Sequence, residues 1–371
     1  MASFERLDRL RTLMAAAKLD VVAFVPGPNL TYLTDSGIGL SSDRPLVLFI
    51  PLQGETVLVI PMLEENRLAN LPFPVDTIAY SDADGFLGAF EQAVSALKLG
   101  DNARIGTEGL RMRVLEGRLI EKNAPGATVF SADDALMPWR LYKTAEELDS
   151  FRKAIALSEV ALKATLERIR PGMTERQIAA QLSLALADAG SSGESFPPLV
   201  MVGPNITSHA ETTERAVQVG DMLLFDFGGK FGHYPADITR TFAVGAPPSD
   251  QLANIYATVL AANEAGIKAS KPGIPALEVD RAARQVIVDA GYGEYFTHRT
   301  GHGLGLDVHE PPFMRAGNAQ ILEPGMVYTV EPGIYIPGIG GARIEDNVVI
   351  TESGVEVMTK FPKTLQVIGW A

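Results

Sequence analysis

A chain of 371 residues is longer than one ordinary hydrophobic core supports and points to two domains. Its formal net charge of −13 argues against a nucleic-acid-binding surface, which needs clustered lysine and arginine, and the absence of cysteine excludes disulfides, thiolate catalysis and cysteine-held zinc. The most apolar stretch, RPLVLFIPLQGETVLVIP, is broken by Pro51, Gly54 and Glu55 and cannot span a bilayer, while MASFERLDRL carries charge where a signal peptide needs an apolar core, so a cytoplasmic protein with no membrane partner is expected.

From the start of the chain, FERLDRLRTLMAAAKL has apolar residues at helical spacing. DVVAFV, RPLVLFIP, ETVLVIP and VDTIAY are short runs rich in valine and isoleucine and read as strands. FLGAFEQAVSALKL reads as a helix ending before Gly100, and RIGTEG as a strand running into a turn. The first part is therefore an α/β domain. It has no glycine-rich phosphate loop after any strand and no histidine, and its expected role is structural, or as a wall or partner surface. The boundary falls near residues 136–143, giving an N-terminal domain 1–137 and a second domain 138–371. A long amphipathic helix then begins at Thr144, an N-cap with Glu147 in capping-box position, and stops before Pro171–Gly172.

The second part contains an internal repeat. Arg170-Pro-Gly-Met173 and Lys271-Pro-Gly-Ile274 each open a helical segment that ends in Asp-Ala-Gly, 20 residues after the basic residue, at Gly190 and Gly291. Each segment leads to an apolar strand in which a glycine precedes an acid by six residues: Gly220 and Asp226, then Gly325 and Glu331. A second acid follows each, Asp237 after 11 residues and Glu345 after 14, with glycine and proline between. These are hairpin lengths, so each half folds its two carboxylates toward one another, and two facing halves bring four to one centre.

Four acids in apolar strands need compensation, because an unpaired carboxylate costs several kcal/mol to remove from water. One solution is a buried ion-pair network using Arg240 and Arg343. The other is divalent metal. Four carboxylates can hold two ions with some acids bridging, and a histidine adds one nitrogen ligand. An oxygen-rich set favours Mn²⁺, with Co²⁺ or Zn²⁺ also able to bind. Two close ions make a shared water acidic enough to serve as a nucleophile near neutral pH, so a hydrolytic site is expected.

LLFDFGGKFGHYPADITRTF, TGHGLGLDVHEPP, YTVEPGIY and GARIEDNVVIT together resemble the metallopeptidases of pita-bread fold, a family that includes aminopeptidase P, prolidase, methionine aminopeptidase and the metal-free creatinase. The likeness covers most of residues 140–355, and five ligand positions occur in order, each inside its own motif. It implies that Asp226 binds one metal, that Asp237 and Glu345 bridge both, and that His302 and Glu331 complete the other metal's shell. The glycines of GHGLG are expected to let the backbone approach a ligand closely and to leave the His302 ring exposed. His309 resembles the family's histidine that contacts substrate and stabilises the tetrahedral intermediate or shuttles a proton. His209 and His298 match pocket histidines. His209 lies 19 residues after Gly190 and His309 lies 18 after Gly291, so the repeat sets those two opposite each other. Tyr335 and Arg343 match positions that line the pocket or support the ligands. Arg343, two residues from Glu345 on one strand, is expected to share its face and orient it. His233 is assigned no role.

The implied reaction is hydrolysis of the amide bond between an N-terminal residue and proline, in a small peptide with proline at the second position. His309 or His209 would stabilise the developing oxyanion, and Glu331 would carry the proton to the leaving nitrogen. A dimer is the family precedent. The N-terminal domain sets aside methionine aminopeptidase, and the five intact ligands set aside creatinase. Xaa-Pro dipeptidases, Xaa-Pro aminopeptidases and amidohydrolases of small cyclic or guanidino substrates, such as ectoine-type rings, remain, and a non-catalytic binding module is disfavoured by the intact ligands. Prolidases of this size often carry an arginine shortly after the HE segment to hold the dipeptide carboxylate. Phe313 stands there, with Arg315 two later, which shifts weight toward the aminopeptidase reading.

Overall fold

The computed structural model of the protein describes residues 2–68, 71, 73–207 and 211–369. The chain divides into two compact units, Met1–Arg140 and Leu141–Ala371.

The first unit is α/β, with elements α1 (Ala2–Ala16), β1 (Val21–Phe24), α2 (Pro28–Thr34), β2 (Val47–Pro51), β3 (Thr56–Pro61), β4 (Val75–Tyr80), α3 (Leu87–Ala96), β5 (Arg104–Thr107), α4 (Val114–Asn123), β6 (Thr128–Ser131) and α5 (Asp133–Leu136). Its six strands form one mixed sheet in the order β4-β3-β2-β1-β5-β6. The runs predicted as strands are β1 to β5, and the continuous burial of β1, β2 and β3 follows from helices covering the sheet. Val21, Ala23, Phe49 and Val59 pack with Phe90 and Val94 of α3 and Ile120 of α4. Phe24, of opposite parity on β1, stacks on Trp139 with ring centroids 5.5 Å apart. The sequence reading missed β6, whose four residues are too few for a periodic signal.

The second unit is built twice. After the short helix α6 (Pro138–Leu141), its first half contains α7 (Ala145–Leu166), α8 (Glu175–Asp188), β7 (Leu199–Val202), β8 (Met222–Phe227), β9 (Lys230–Phe231), β10 (Tyr234–Pro235) and β11 (Ile238–Val244). The second contains α9 (Asp250–Ala269), α10 (Leu277–Asp289), β12 (Gly301–Gly303), β13 (Glu310–Met314), β14 (Val327–Val330), β15 (Gly333–Ile336), β16 (Gly340–Arg343), β17 (Asp346–Ile350), β18 (Val355–Val357) and β19 (Val367–Ile368). Two sheets, β19-β11-β8-β7 and β13-β12-β14-β17-β18, carry the halves.

Local chemistry explains the helix boundaries. Thr144 accepts the Glu147 N–H and Glu147 returns the bond to Thr144 N–H, the capping box read from the sequence. Thr174 and Gln177 repeat it on α8. Both repeat helices end on a left-handed glycine, Gly190 with φ 87° and Gly291 with φ 82°, as a helix-terminating position requires. On β8, Leu223, Phe225 and Phe227 pack with Phe151, Ile155 and Leu182 of α7 and α8. Met222 and Leu224 point the other way, into a core with Ile255, Val259 and Ile287 of α9 and α10. Asp226 continues that second row by strand parity.

Candidate metal centre

Each pair of acids sits where a strand pair opens. In the first half β8 and β11 are antiparallel with Phe227 opposite Ile238 and Asp226 opposite Thr239, so Asp237 lies just beyond the last pair. In the second half Val330 is opposite Asp346, so Glu331 and Glu345 flank the same opening. The chain between each pair of acids forms its own small hairpin, β9–β10 in one half and β15–β16 in the other. The halves are stitched across their junction. Glu345 N–H donates to the Thr239 carbonyl at 3.1 Å, Arg343 N–H to Thr241 Oγ1 at 3.2 Å, and Asp237 N–H to Asn347 Oδ1 at 3.2 Å.

His302 enters from the middle of β12. Its Nδ1–H donates to the Gly303 carbonyl at 3.1 Å, which leaves the Nε2 lone pair facing Glu331 Oε1 at 3.2 Å and Asp237 Oδ2 at 3.5 Å. The expectation of an exposed ring is overturned, since His302 is only 3% exposed. Its flanking glycines serve the neighbouring strands instead. A Cβ on Gly301 would lie 1.8 Å from the Thr329 carbonyl oxygen, and one on Gly303 would lie 2.2 Å from that of Pro311. The exposed ring is His309, which meets His302 edge to face with centroids 4.1 Å apart.

Three overlapping groups each bring one potential ligand atom per residue within 4.8 Å of the others: Asp226/Asp237/Glu345, His302/Glu331/Glu345 and Asp237/His302/His309. All six residues line one cavity of about 770 Å³, together with His298, Arg299, Arg343, Phe196, Leu199 and Val308. His209, the other histidine expected there, lies outside the described residues.

The electrostatics match a cation site. Burial, reinforced by the neighbouring carboxylates, pushes Asp237 and Glu345 well above the usual carboxylate range. Asp226 is also raised by burial, against the pull of Arg343. Burial opposes ionisation of Glu331 as well, but with a proton on His302 Nε2 in place of a cation, the hydrogen bond and charge of that ring, aided by Arg343, bring it down to about 2. Asp226 Oδ1 is buried with no hydrogen-bond partner among the described residues. A lone pair facing two carboxylate oxygens, an orphaned buried carboxylate oxygen and mutually repelling acids are together what a divalent ion would satisfy, and this oxygen-rich, one-nitrogen set fits it.

Arginine does not neutralise the cluster alone. Arg240, weighed as a partner for the acids, donates to Asp346 at 2.7 Å and to the carbonyls of Thr239, Glu345 and Phe361. Arg343 pairs with Asp226, donates to Tyr335 Oη at 2.8 Å and to Thr239 Oγ1 at 3.0 Å. Its expected place on one strand with Glu345 is corrected: β16 ends at Arg343, and Glu345 lies in the link before β17. The route from Arg343 to Glu345 runs through Thr239, whose hydroxyl donates to Glu345 Oε2 at 2.6 Å. Tyr335 Oη also meets His298 Nε2 at 2.9 Å, while His298 Nδ1–H donates to the Arg299 carbonyl at 2.7 Å. Burial lowers the His298 pKa and so favours the neutral ring.

Several supports were not read from the sequence. Glu175 accepts the Val202 and Thr213 N–H groups at 2.8 and 2.7 Å. Asp280 accepts the Thr300 N–H at 3.2 Å and hydroxyl at 2.8 Å, and fixes Arg284, which holds the Phe296 and His298 carbonyls. Under the His309 segment, Lys143 and Glu310 form a buried ion pair at 2.7 Å. The position of Glu175 at the first residue of α8 and the helical face of Asp280 explain their placement, but only the fold reveals their partners. Thr239, next to Arg240 in DITRT, had a local signal as part of a quoted motif.

Comparison with known proteins agrees with this geometry. The profile of metallopeptidase family M24 matches residues 149–352, and that of the creatinase/prolidase N-terminal domain matches residues 6–142. The chain is 36% identical over 327 residues to the YkvY protein of Bacillus subtilis, covering 88% of this chain and 90% of that one. Among solved structures, a prolidase from Thermococcus sibiricus is 31% identical with a TM-score of 0.94, covering 99% of each chain. A dipeptidase from Pyrococcus horikoshii is 35% identical with a TM-score of 0.91, covering 98% of this chain and 99% of that one. With the family profile spanning more than half its length and relatives aligned almost end to end, the chain belongs to metallopeptidase family M24.

Proposed function

We propose that the protein is a two-metal peptidase that hydrolyses the amide bond between an N-terminal residue and a following proline. The observation carrying this reading is the gathering of four carboxylates and His302 in one cavity, in a chain similar over its whole length to a prolidase and a dipeptidase. Asp226, Asp237, His302, Glu331 and Glu345 would hold two divalent ions, with Asp237 and Glu345 shared between them and Mn²⁺ favoured by the oxygen-rich donors. Such ions, when bound, supply Lewis acidity and an acidified water.

The protein's own groups do the rest. Glu331 would accept a proton from the nucleophilic water and deliver it to the leaving nitrogen. That delivery matters because an Xaa-Pro amide has no N–H of its own. His309, exposed to the cavity beside His302, donates to the carbonyl oxygen as charge develops there, and His209 shares this role from the first half. Arg343 fixes Asp226 directly and Glu345 through Thr239, while Tyr335 ties Arg343 to His298 at the pocket wall. Phe196, Leu199 and Val308 offer apolar surface to a proline ring. A homodimer, a cytoplasmic setting and a domain boundary at residues 137–138 complete the proposal; sedimentation velocity tests the first.

The deciding experiment assays Mn²⁺-loaded protein on Gly-Pro, on a longer Xaa-Pro-Yaa peptide and on a cyclic amide. Hydrolysis of either proline peptide supports the reading, and which of the two is preferred separates dipeptidase from aminopeptidase. Cleavage of the cyclic amide alone would replace the peptidase reading with that of an amidohydrolase.

A further inference from the structure

Asn263 is a fully buried residue of α9, and its side-chain amide ties together two separate links of the chain. Its Nδ2 donates to the Val330 carbonyl at 2.9 Å and to the Ile344 carbonyl at 3.4 Å. These are the residues immediately before Glu331 and Glu345. The amide oxygen accepts from Lys363 Nζ at 2.8 Å. The same ammonium donates to Asp346 Oδ2 at 2.9 Å, and Asp346, directly after Glu345, is fully buried with Arg240 on its other oxygen at 2.7 Å. Lys363 lies between β18 and β19, and the Tyr256 hydroxyl fixes its backbone by donating to its carbonyl at 2.8 Å.

We infer that Lys363 is a positioning residue for the metal centre, setting the separation of Glu331 and Glu345 through the Asn263 amide and Asp346. The inference rests on the metal reading of the cavity. A side-chain amide has a donor end and an acceptor end. An ammonium only donates, so Lys363 can face only the amide oxygen, which commits the NH₂ group to the two carbonyls. Removing Lys363 leaves the amide free to turn over and set its oxygen against both of them, and it takes one of the two cations from the buried Asp346. Groups that orient metal ligands in this way govern how well the ligands bind an ion. The charge of Lys363 works in the opposite direction, because a cation held near the centre repels the ions that bind there. Position and charge therefore predict opposite signs when Lys363 is replaced.

The test titrates Mn²⁺ by calorimetry into chelator-treated wild type, Lys363→Met, Lys363→Arg and Asn263→Leu. Backbone hydrogen exchange of residues 328–347, followed before metal is added, gives a second readout that needs no ion. The Lys363 side chain is 25% exposed, so its replacement opens no sealed cavity. Lys363→Met is expected to weaken Mn²⁺ binding by about 10-fold and to speed exchange in residues 328–347. Asn263→Leu should do the same, and Lys363→Arg, which keeps the charge and the donors, should stay near wild type. The proposal is overturned if Lys363→Met binds Mn²⁺ as tightly as wild type, or more tightly as loss of charge alone would have it. Should wild type take up no divalent ion, the metal reading fails, and exchange in residues 328–347, faster or unchanged in Lys363→Met, still decides whether Lys363 holds the two links.

Discussion

His302 and His309 touch, yet their surroundings give them different work. His302 is buried, its Nδ1–H is taken by a carbonyl, and its Nε2 faces two acids. His309 is exposed to the cavity. His302→Ala is therefore expected to lower bound metal together with rate. His309→Ala should keep both ions and slow turnover by roughly 10²–10³-fold, the usual cost of losing one oxyanion donor. Metal analysis beside kcat checks this, and equal metal loss in the two variants would show the roles to be reversed. In the first unit, Glu108 is buried and accepts from Val25 N–H at 3.0 Å and from Asn29 at 2.9 Å. Burial outweighs those donors, Arg111 and Arg140, and pushes its pKa from 4.5 up to about 7. The folded state thus holds this proton more tightly than the unfolded chain. The resulting stabilisation is full below pH 4.5 and is lost as pH rises toward 7. Glu108→Gln should flatten that part of the pH dependence, read as a smaller gap between urea midpoints at pH 5 and pH 8. An unchanged gap would contradict the buried-acid account.

At the scale of elements, the helices were the most legible part, because capping boxes and terminal glycines are local chemistry. Thr144, Gly190 and Gly291 act in the structure as their spacing suggested. The strands carrying the acids were legible for a different reason: the chain states the pattern twice. What the spacing could not show was how neighbouring strands crowd one another. The glycines beside His302 were read as access for a ligand, whereas Gly301 is needed because the Thr329 carbonyl would lie 1.8 Å from any Cβ there. Gly301→Ala should accordingly push β12 away from β14 and cost several kcal/mol, with metal affinity falling alongside. Thermal unfolding and metal titration of this variant check it, and wild-type values in both would contradict the crowding argument. The Arg343–Glu345 relation was misread for a similar reason. Two residues of separation imply a shared face only along one strand, and here β16 ends between them.

For the whole molecule, the repeat is the device that makes the site. Neither half alone gathers the candidate ligands, since Asp226 and Asp237 come from one and His302, Glu331 and Glu345 from the other. That pooling was readable from the sequence because each half bears its acids at matching offsets. Contacts that cross between distant segments were not, among them Arg299 on Phe313, Thr239 to Glu345 and Lys143 to Glu310. Without cations Asp226, Asp237 and Glu345 ionise only against burial and the repulsion of their neighbours, and ions that bind only the folded state add about 2.7 kcal/mol at a concentration 100 times Kd. The central claim is most directly tested by calorimetric titration of Mn²⁺ into chelator-treated protein. Two ions bound per chain, with a parallel rise in Tm, is the expected result. No uptake of Mn²⁺ by the folded protein, or of any other divalent ion, would contradict it and leave protons and Arg343 as the only counter-charges of the cluster.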